Sequence, residues 1–203
     1  MKIFCIGRNY IAHAKELNNK VPKQPLVFIK PDTALCNSNE IPYPEFSNNL
    51  QYELEVVLHI CKTGKAMSID EAASFYDKIG LGIDYTARDI QSQCKEKGHS
   101  WEKAKAFDNS ASISPLFSKS NYNLASINFN LDLNETTVQV GNTKDLIFNF
   151  DYLIKHISQY FTLTEGDLIM TGTPAGVGPV KNGDILKCYL EDELILENSI
   201  NCK

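Results

Sequence analysis

Two glutamates flank a leucine at the head of an apolar run, Tyr52-Glu53-Leu54-Glu55-Val56-Val57-Leu58. Strand side chains alternate faces, so Glu53 and Glu55 point the same way, roughly 6–7 Å apart along the chain. Carboxylates that close repel, and burial without a cation would raise their proton affinity. Taken alone, the pair is accounted for by a solvated strand edge. A second segment changes that reading. The run Ile79-Gly80-Leu81-Gly82-Ile83-Asp84 is a glycine-bearing apolar strand ending in an acid at a strand-to-helix junction. Asp84 suits the N-cap of the helix that follows. With Glu53 and Glu55 it also makes an oxygen-rich site for a hard divalent ion, Mg²⁺ or Mn²⁺, with open positions for water or substrate.

His13 and Glu16 are three residues apart and share one face if the segment is helical. Such a pair can hold a water as a general-base dyad, and it equally suits an exposed surface pair. The basic partners on offer are Lys30, which closes the run Val27-Phe28-Ile29, and Lys105, within Lys103-Ala104-Lys105-Ala106-Phe107-Asp108. Ordinary solvated lysines account for both as well.

The elements that must position these groups are mostly strands. Val27 to Ile29, Leu54 to Ile60, Ile127 to Leu133, Asp167 to Met170 and Asp184 to Leu190 have strand composition, and the third alternates cleanly, so one of its faces is expected to be wet. Short helices are expected over 9–17 after a first strand, from the capping box Ser68-Ile69-Asp70-Glu71 through about Tyr76, over 86–97, and over 150–160. Strands do not alternate regularly with helices, which excludes a doubly wound fold and favours a β-rich α+β domain. Residues 32–49 form a Pro-, Asn- and Ser-rich connection. Residues 171–179 form a tight Gly/Pro loop whose glycines serve positive φ or backbone close to a ligand.

Composition narrows the function. The 203 residues carry 20 basic and 25 acidic side chains, and the two arginines, Arg8 and Arg88, argue against a nucleic-acid surface. No window approaches a membrane span of about 18 apolar residues. The N-terminus lacks the pattern of a signal or transit peptide, so a cytoplasmic protein is expected. Six scattered cysteines without C-x-x-C spacing are expected to be free thiols. No G-x-S-x-G elbow, P-loop, Rossmann fingerprint or H-E-x-x-H motif is present. His59 and His156 are expected to be packed or surface histidines, and His99 a solvated one.

Taken in order, the segments resemble the fumarylacetoacetate hydrolase family, in its small acylpyruvase and oxaloacetate decarboxylase branch. The matching blocks are Gly7-Arg8-Asn9-Tyr10 with His13 and Glu16; Phe28-Ile29-Lys30-Pro31; Tyr52-Glu53-Leu54-Glu55; Asp84-Tyr85-Thr86-Ala87-Arg88-Asp89 with Gln91; Trp101 with Lys105; Ile147-Phe148; and the stretch from Glu165 through Thr171, Gly172 and Thr173 to Gly178. They span nearly the whole chain. The resemblance implies one catalytic domain over 1–203 with a rolled mixed β-sheet and a few short helices, and usually a homodimer. It implies Mg²⁺ or Mn²⁺ held by Glu53, Glu55 and Asp84. It places His13 and Glu16 on a lid at about 9–22, makes His13, Glu16 and Lys105 catalytic, and assigns substrate binding to Arg8, Lys30, Arg88, Gln91, Thr171 and Thr173. The expected substrate is a small 2-oxo acid. Hydrolytic cleavage of a 3-acylpyruvate is the first expectation; decarboxylation or tautomerisation of oxaloacetate, or isomerisation of a 2-hydroxy-dienoate, is the second. The competing non-enzymatic reading is a metal-stabilised binding module. The chain departs from the family pattern at Asn109 to Pro115, at Asn134-Glu135 and at Leu146, which leaves the shape of the substrate pocket open.

Overall fold

The computed structural model describes residues 1–17 and 20–201. Two residues of the expected lid segment, Asn18 and Asn19, and one of the six cysteines, Cys202, therefore lie outside the described residues. The architecture is β-rich α+β, a mixed sheet rolled against a second sheet, with a few short helices. The larger sheet runs in the order Leu26–Pro31, Lys2–Gly7, Leu168–Met170, Leu54–Ile60, Tyr76–Asp84 and Ala111–Ile113. It is mixed because Lys2–Gly7 pairs in parallel with Leu168–Met170, while its other pairings are antiparallel. A second sheet orders Thr136–Asn142, Asn128–Leu133, Ile185–Leu190, Glu193–Asn201 and Glu40–Pro42. A small third one joins Gly178–Pro179, Leu50–Tyr52 and Thr86–Ala87.

Both faces of the large sheet are covered, which is why its strands read as continuous apolar runs. Phe4 and Ile6 pack into the main core with Leu54, Leu58, Leu81 and Phe129, whereas Ile3 and Cys5 face the other way onto Val57 and Met170. In the second sheet, Asn128–Leu133 buries Phe129 and Leu131 and leaves Asn128 exposed, the one-sided wetting its alternation implied. The helix Phe150–Tyr160 lays Leu153, Ile154 and Ile157 on the main core, its N-terminus capped by the Asn149 side chain.

Register places the acids. Leu54 lies opposite Ile83 and Glu55 opposite Gly82, and Asp84 N–H donates to Glu53 O at 2.8 Å where the two strands end. One pairing thus fixes all three carboxylates at one end of the sheet. Two expectations are corrected here. The capping box at Ser68 forms, but the helix is only Ile69–Ala72, because Tyr76 pairs with Ile60 as the first residue of the next strand. The helix expected over 86–97 is Arg88–Lys97 and its N-cap is Ala87, not Asp84; Thr86 and Ala87 are drawn into the third sheet and the Asp84 side chain is engaged elsewhere. The five described cysteines are free thiols. Among the described residues no helix is long and apolar enough to cross a membrane.

Candidate active site

Glu53, Glu55 and Asp84 are 5%, 2% and 0% exposed, and each offers an oxygen within 4.8 Å of the others'. Burying three carboxylates without compensation would be prohibitive, and three cations accompany them. The Lys105 ammonium bridges Glu53 Oε2 at 2.7 Å and Asp84 Oδ2 at 2.8 Å. Arg88 donates to Glu53 Oε1, and also to Gln51 and Gln91. Lys30, fully buried, pairs with Asp84 Oδ1 at 2.8 Å and donates to Ser110 O and Oγ and to the Lys105 carbonyl. Glu55 has no such cation. It accepts from the Gly172 N–H at 2.7 Å.

The consequences for proton affinity differ within the cluster. Burial pushes Glu55 up, and the neighbouring charges of Asp84 and Glu53 push it further. Burial would also raise Glu53, but Lys105, Arg88 and His13 outweigh it and hold that carboxyl below its usual range. For Lys105 the desolvation penalty is overcome by Asp84 and Glu53, and its ammonium is held above the ordinary range.

The donor set fits a hard divalent cation. All three groups offer oxygen, their mutual repulsion shows in the raised proton affinity of Glu55, and Asp84 Oδ1 is buried without a hydrogen bond. Lys30 lies near that oxygen as a charge, outside hydrogen-bonding alignment, so a lone pair is left over. Zinc would call for nitrogen or sulfur instead.

A cleft opens onto the carboxylates and is also lined by Arg8, His13, Arg88, Gln91, Lys105 and Thr173. Three of the expected groups arrive differently. Lys30 is 0% exposed and stands behind Asp84 rather than on the cleft wall. Thr171 is also fully buried, its hydroxyl donating to Val56 O at 2.9 Å. Glu16 lies on the short helix Ile11–Glu16 at the cleft edge, its side chain 33% exposed and its Oε2 3.4 Å from His13 Nδ1. His13 itself is buried, and burial pushes its imidazole down, neutral at physiological pH, with Glu53 and Glu16 only partly opposing the shift.

The helix is tied down across the chain. Glu16 accepts from the Gly176 N–H at 3.0 Å. Gly176 has φ of +98°, and a Cβ there would fall 2.1 Å from Val138 O, so this loop position excludes any other residue. Two positioning residues escaped the sequence reading. Asn9, fully buried, donates to Phe148 O and Thr171 O and accepts from the Phe148 N–H, joining three segments at the site. Gln139 accepts from the Leu54 N–H and donates to Thr173 Oγ1 and Pro174 O. Their partners lie 34–162 residues away in sequence, so no local spacing announces them. Lys95 and Trp101 also line the cleft without having been assigned a role. For Lys95 the helical spacing from Arg88 and Gln91 was the available signal.

Comparison with known proteins points one way. The description "Fumarylacetoacetate (FAA) hydrolase C-terminal" matches residues 2–201. The mitochondrial oxaloacetate tautomerase FAHD1 of Bos taurus is 36% identical over 96% of this chain and 89% of its own length. The mitochondrial oxaloacetate decarboxylase of Dictyostelium discoideum is 38% identical over 92% of this chain and 87% of its own. Among solved structures, fumarylpyruvate hydrolase from Pseudomonas aeruginosa, in complex with Mn²⁺ and pyruvate, superposes with a TM-score of 0.94 at 31% identity, covering 100% of this chain and 90% of that one.

Proposed function

The chain belongs to the fumarylacetoacetate hydrolase family, a family of enzymes, and we propose on that premise that it is a divalent-metal-dependent enzyme of small 2-oxo acids, catalysing first of all the keto–enol tautomerisation of oxaloacetate. The observation that carries the reading is the convergence on one cleft of three buried carboxylates, Lys105 and a neutral His13. Relatives named as oxaloacetate tautomerase and decarboxylase cover more than nine-tenths of the chain, and they move oxaloacetate ahead of acylpyruvate in the order of preference.

Glu53, Glu55 and Asp84 would hold the ion, Mg²⁺ or Mn²⁺. When bound, it supplies Lewis-acid polarisation of the 2-oxo and carboxylate oxygens of a substrate. The rest falls to the chain's own groups. His13, unprotonated through burial, takes the C3 proton as general base. Glu16 fixes the ring by its contact to Nδ1. Lys105, charged and rigidly placed, donates toward the 2-oxygen as negative charge develops there. The proton lost from C3 returns to that oxygen, so the reaction is balanced without water.

Hydrolysis of a 3-acylpyruvate is the second reading, favoured by the position of Glu16. Its carboxylate is one-third exposed beside His13, where the dyad can take a proton from a water. Hydroxide then adds to the distal acyl carbon, the C–C bond breaks, and C3 of the pyruvate fragment takes up a proton.

The test is turnover by the purified protein with Mg²⁺ or Mn²⁺, using enol oxaloacetate and a 3-acylpyruvate. Ketonisation well above the uncatalysed rate, abolished by EDTA while circular dichroism is unchanged, supports the proposal. A metal-bound protein that turns over neither substrate would leave the binding-module reading in its place.

A further inference from the structure

We propose that Arg8 and Lys95, at the mouth of the cleft, bind the second carboxylate of a dicarboxylic 2-oxo acid and so select such substrates over acids with an uncharged tail. The inference rests on the 2-oxo acid reading above and adds to it a residue, Lys95, and the groups that select for the second carboxylate.

The charge count within the cleft leads to it. Glu53, Glu55 and Asp84 are three negative groups; Lys30, Lys105 and Arg88 are three positive ones, each paired with a carboxylate of the cluster. Arg8 and Lys95 line the same cleft, and their side chains have no ion pair or hydrogen bond to any other described residue. Two further cations therefore face the same space, neither of them tied to a carboxylate of the cluster.

Their placement is imposed by the fold. Arg8 has φ of +62°, a strained conformation for a non-glycine residue. It is held there between the strand Lys2–Gly7 and the triply hydrogen-bonded Asn9. Lys95 follows Arg88 and Gln91 by seven and four residues on the helix Arg88–Lys97, so the three share one face. Arg88 reaches Glu53 and Gln91. Lys95 stands farther out, with its ammonium 5.4 Å from the ring centroid of Trp101, a contact that holds the charge over the cleft. Burial, then Arg88 and Arg8, push Lys95 down to about 8, with Glu53 opposing the shift, which puts its ammonium among like charges. A guanidinium fork and an ammonium suit a carboxylate. A methyl or phenyl tail would leave both unpaired.

Two probes that differ in the second carboxylate test this: 2-oxoglutarate and 2-oxopentanoate, titrated calorimetrically into the Mg²⁺-loaded protein. The wild type should bind 2-oxoglutarate about tenfold or more tightly, with the preference shrinking as salt rises. Lys95→Gln and Arg8→Gln should each reduce that preference about tenfold, and Lys95→Arg should restore it. Lys95 reaches solvent, so its variants keep the fold, as circular dichroism checks. A wild type that binds the two acids equally, or a preference untouched by both Gln variants, overturns the assignment. If oxaloacetate is still turned over, the enzymatic reading survives that result. If oxaloacetate is not turned over and neither acid binds, the enzymatic reading falls and takes this one with it.

Discussion

The backbone N–H of Gly172 lies 2.7 Å from Oε2 of Glu55, joining a loop residue to an acid 117 positions earlier. It is the one hydrogen bond that the Glu55 side chain makes among the described residues, and the proton affinity of that carboxylate is raised by burial and by Asp84 and Glu53. Gly172 has φ of +105°, and a Cβ there would fall 2.6 Å from that of Asn9. The carboxylate cluster and the segment that carries Asn9 are thus fitted to each other through a residue with no side chain.

A divalent ion should relieve the repulsion within the cluster. Mn²⁺ or Mg²⁺ should raise the melting temperature, since a ligand that binds only the folded state stabilises it by mass action. Asp84→Asn should reduce Mn²⁺ affinity by about a hundredfold or more in calorimetric titration while retaining the wild-type circular dichroism. Equal affinity in the two proteins would remove Asp84 from the site.

The acid limb of the rate profile should report His13. Its folded-state proton affinity is lowered by burial, so the base form persists as pH falls and is lost only below the ordinary value of 6.5. The limb in kcat/KM for oxaloacetate should therefore lie below that value and vanish in His13→Gln. A limb at or above it contradicts the neutral, buried base.

The two roles proposed for Glu16 separate by substitution. Glu16→Gln keeps an oxygen to accept from Gly176 but cannot take a proton, and acylpyruvate hydrolysis should fall by about 10²–10⁴. Oxaloacetate tautomerisation should fall less, because it needs no attacking water. Gly176→Ala should do the reverse: by displacing the loop it frees the helix Ile11–Glu16, read as faster amide exchange over 11–17, and both reactions should slow together. Equal losses in Glu16→Gln would assign Glu16 to closure rather than to water.

Asn9→Ala should cost stability more than chemistry. It strands a buried N–H and two carbonyls, on the order of 3 kcal/mol, which for a chain of this size corresponds to a fall in melting temperature of roughly 6–12 °C. A fall of under about 2 °C would mean the three segments are held by other contacts.

The acids could be read from the sequence because strand alternation is local. That Glu53 and Glu55 share a face followed from their own spacing, and the place of Asp84 from the end of its apolar run; that the three belong to one site needed both segments and the family resemblance. Lys30 is fully buried rather than solvated, and this could not be read, because its place behind Asp84 depends on Ser110, 80 residues away. The helix after Ser68 was drawn too long for a similar reason. Its cap is local, but its end is set by the pairing of Tyr76 with Ile60. The strand Glu193–Asn201 escaped the reading, since its alternation acquires meaning only beside Ile185–Leu190.

The parallel pairing of Lys2–Gly7 with Leu168–Met170 has a consequence for the order of events on the ribosome. The strand that leads into Arg8 and Asn9 is made first, yet its neighbour in the sheet, with Thr171 and Gly172 beyond it, is made some 165 residues later. Contacts of such long range are slow to form. The acids at 53, 55 and 84 must therefore wait, without their loop donor, until most of the chain has emerged, and metal supplied early in synthesis meets carboxylates not yet enclosed by the cleft.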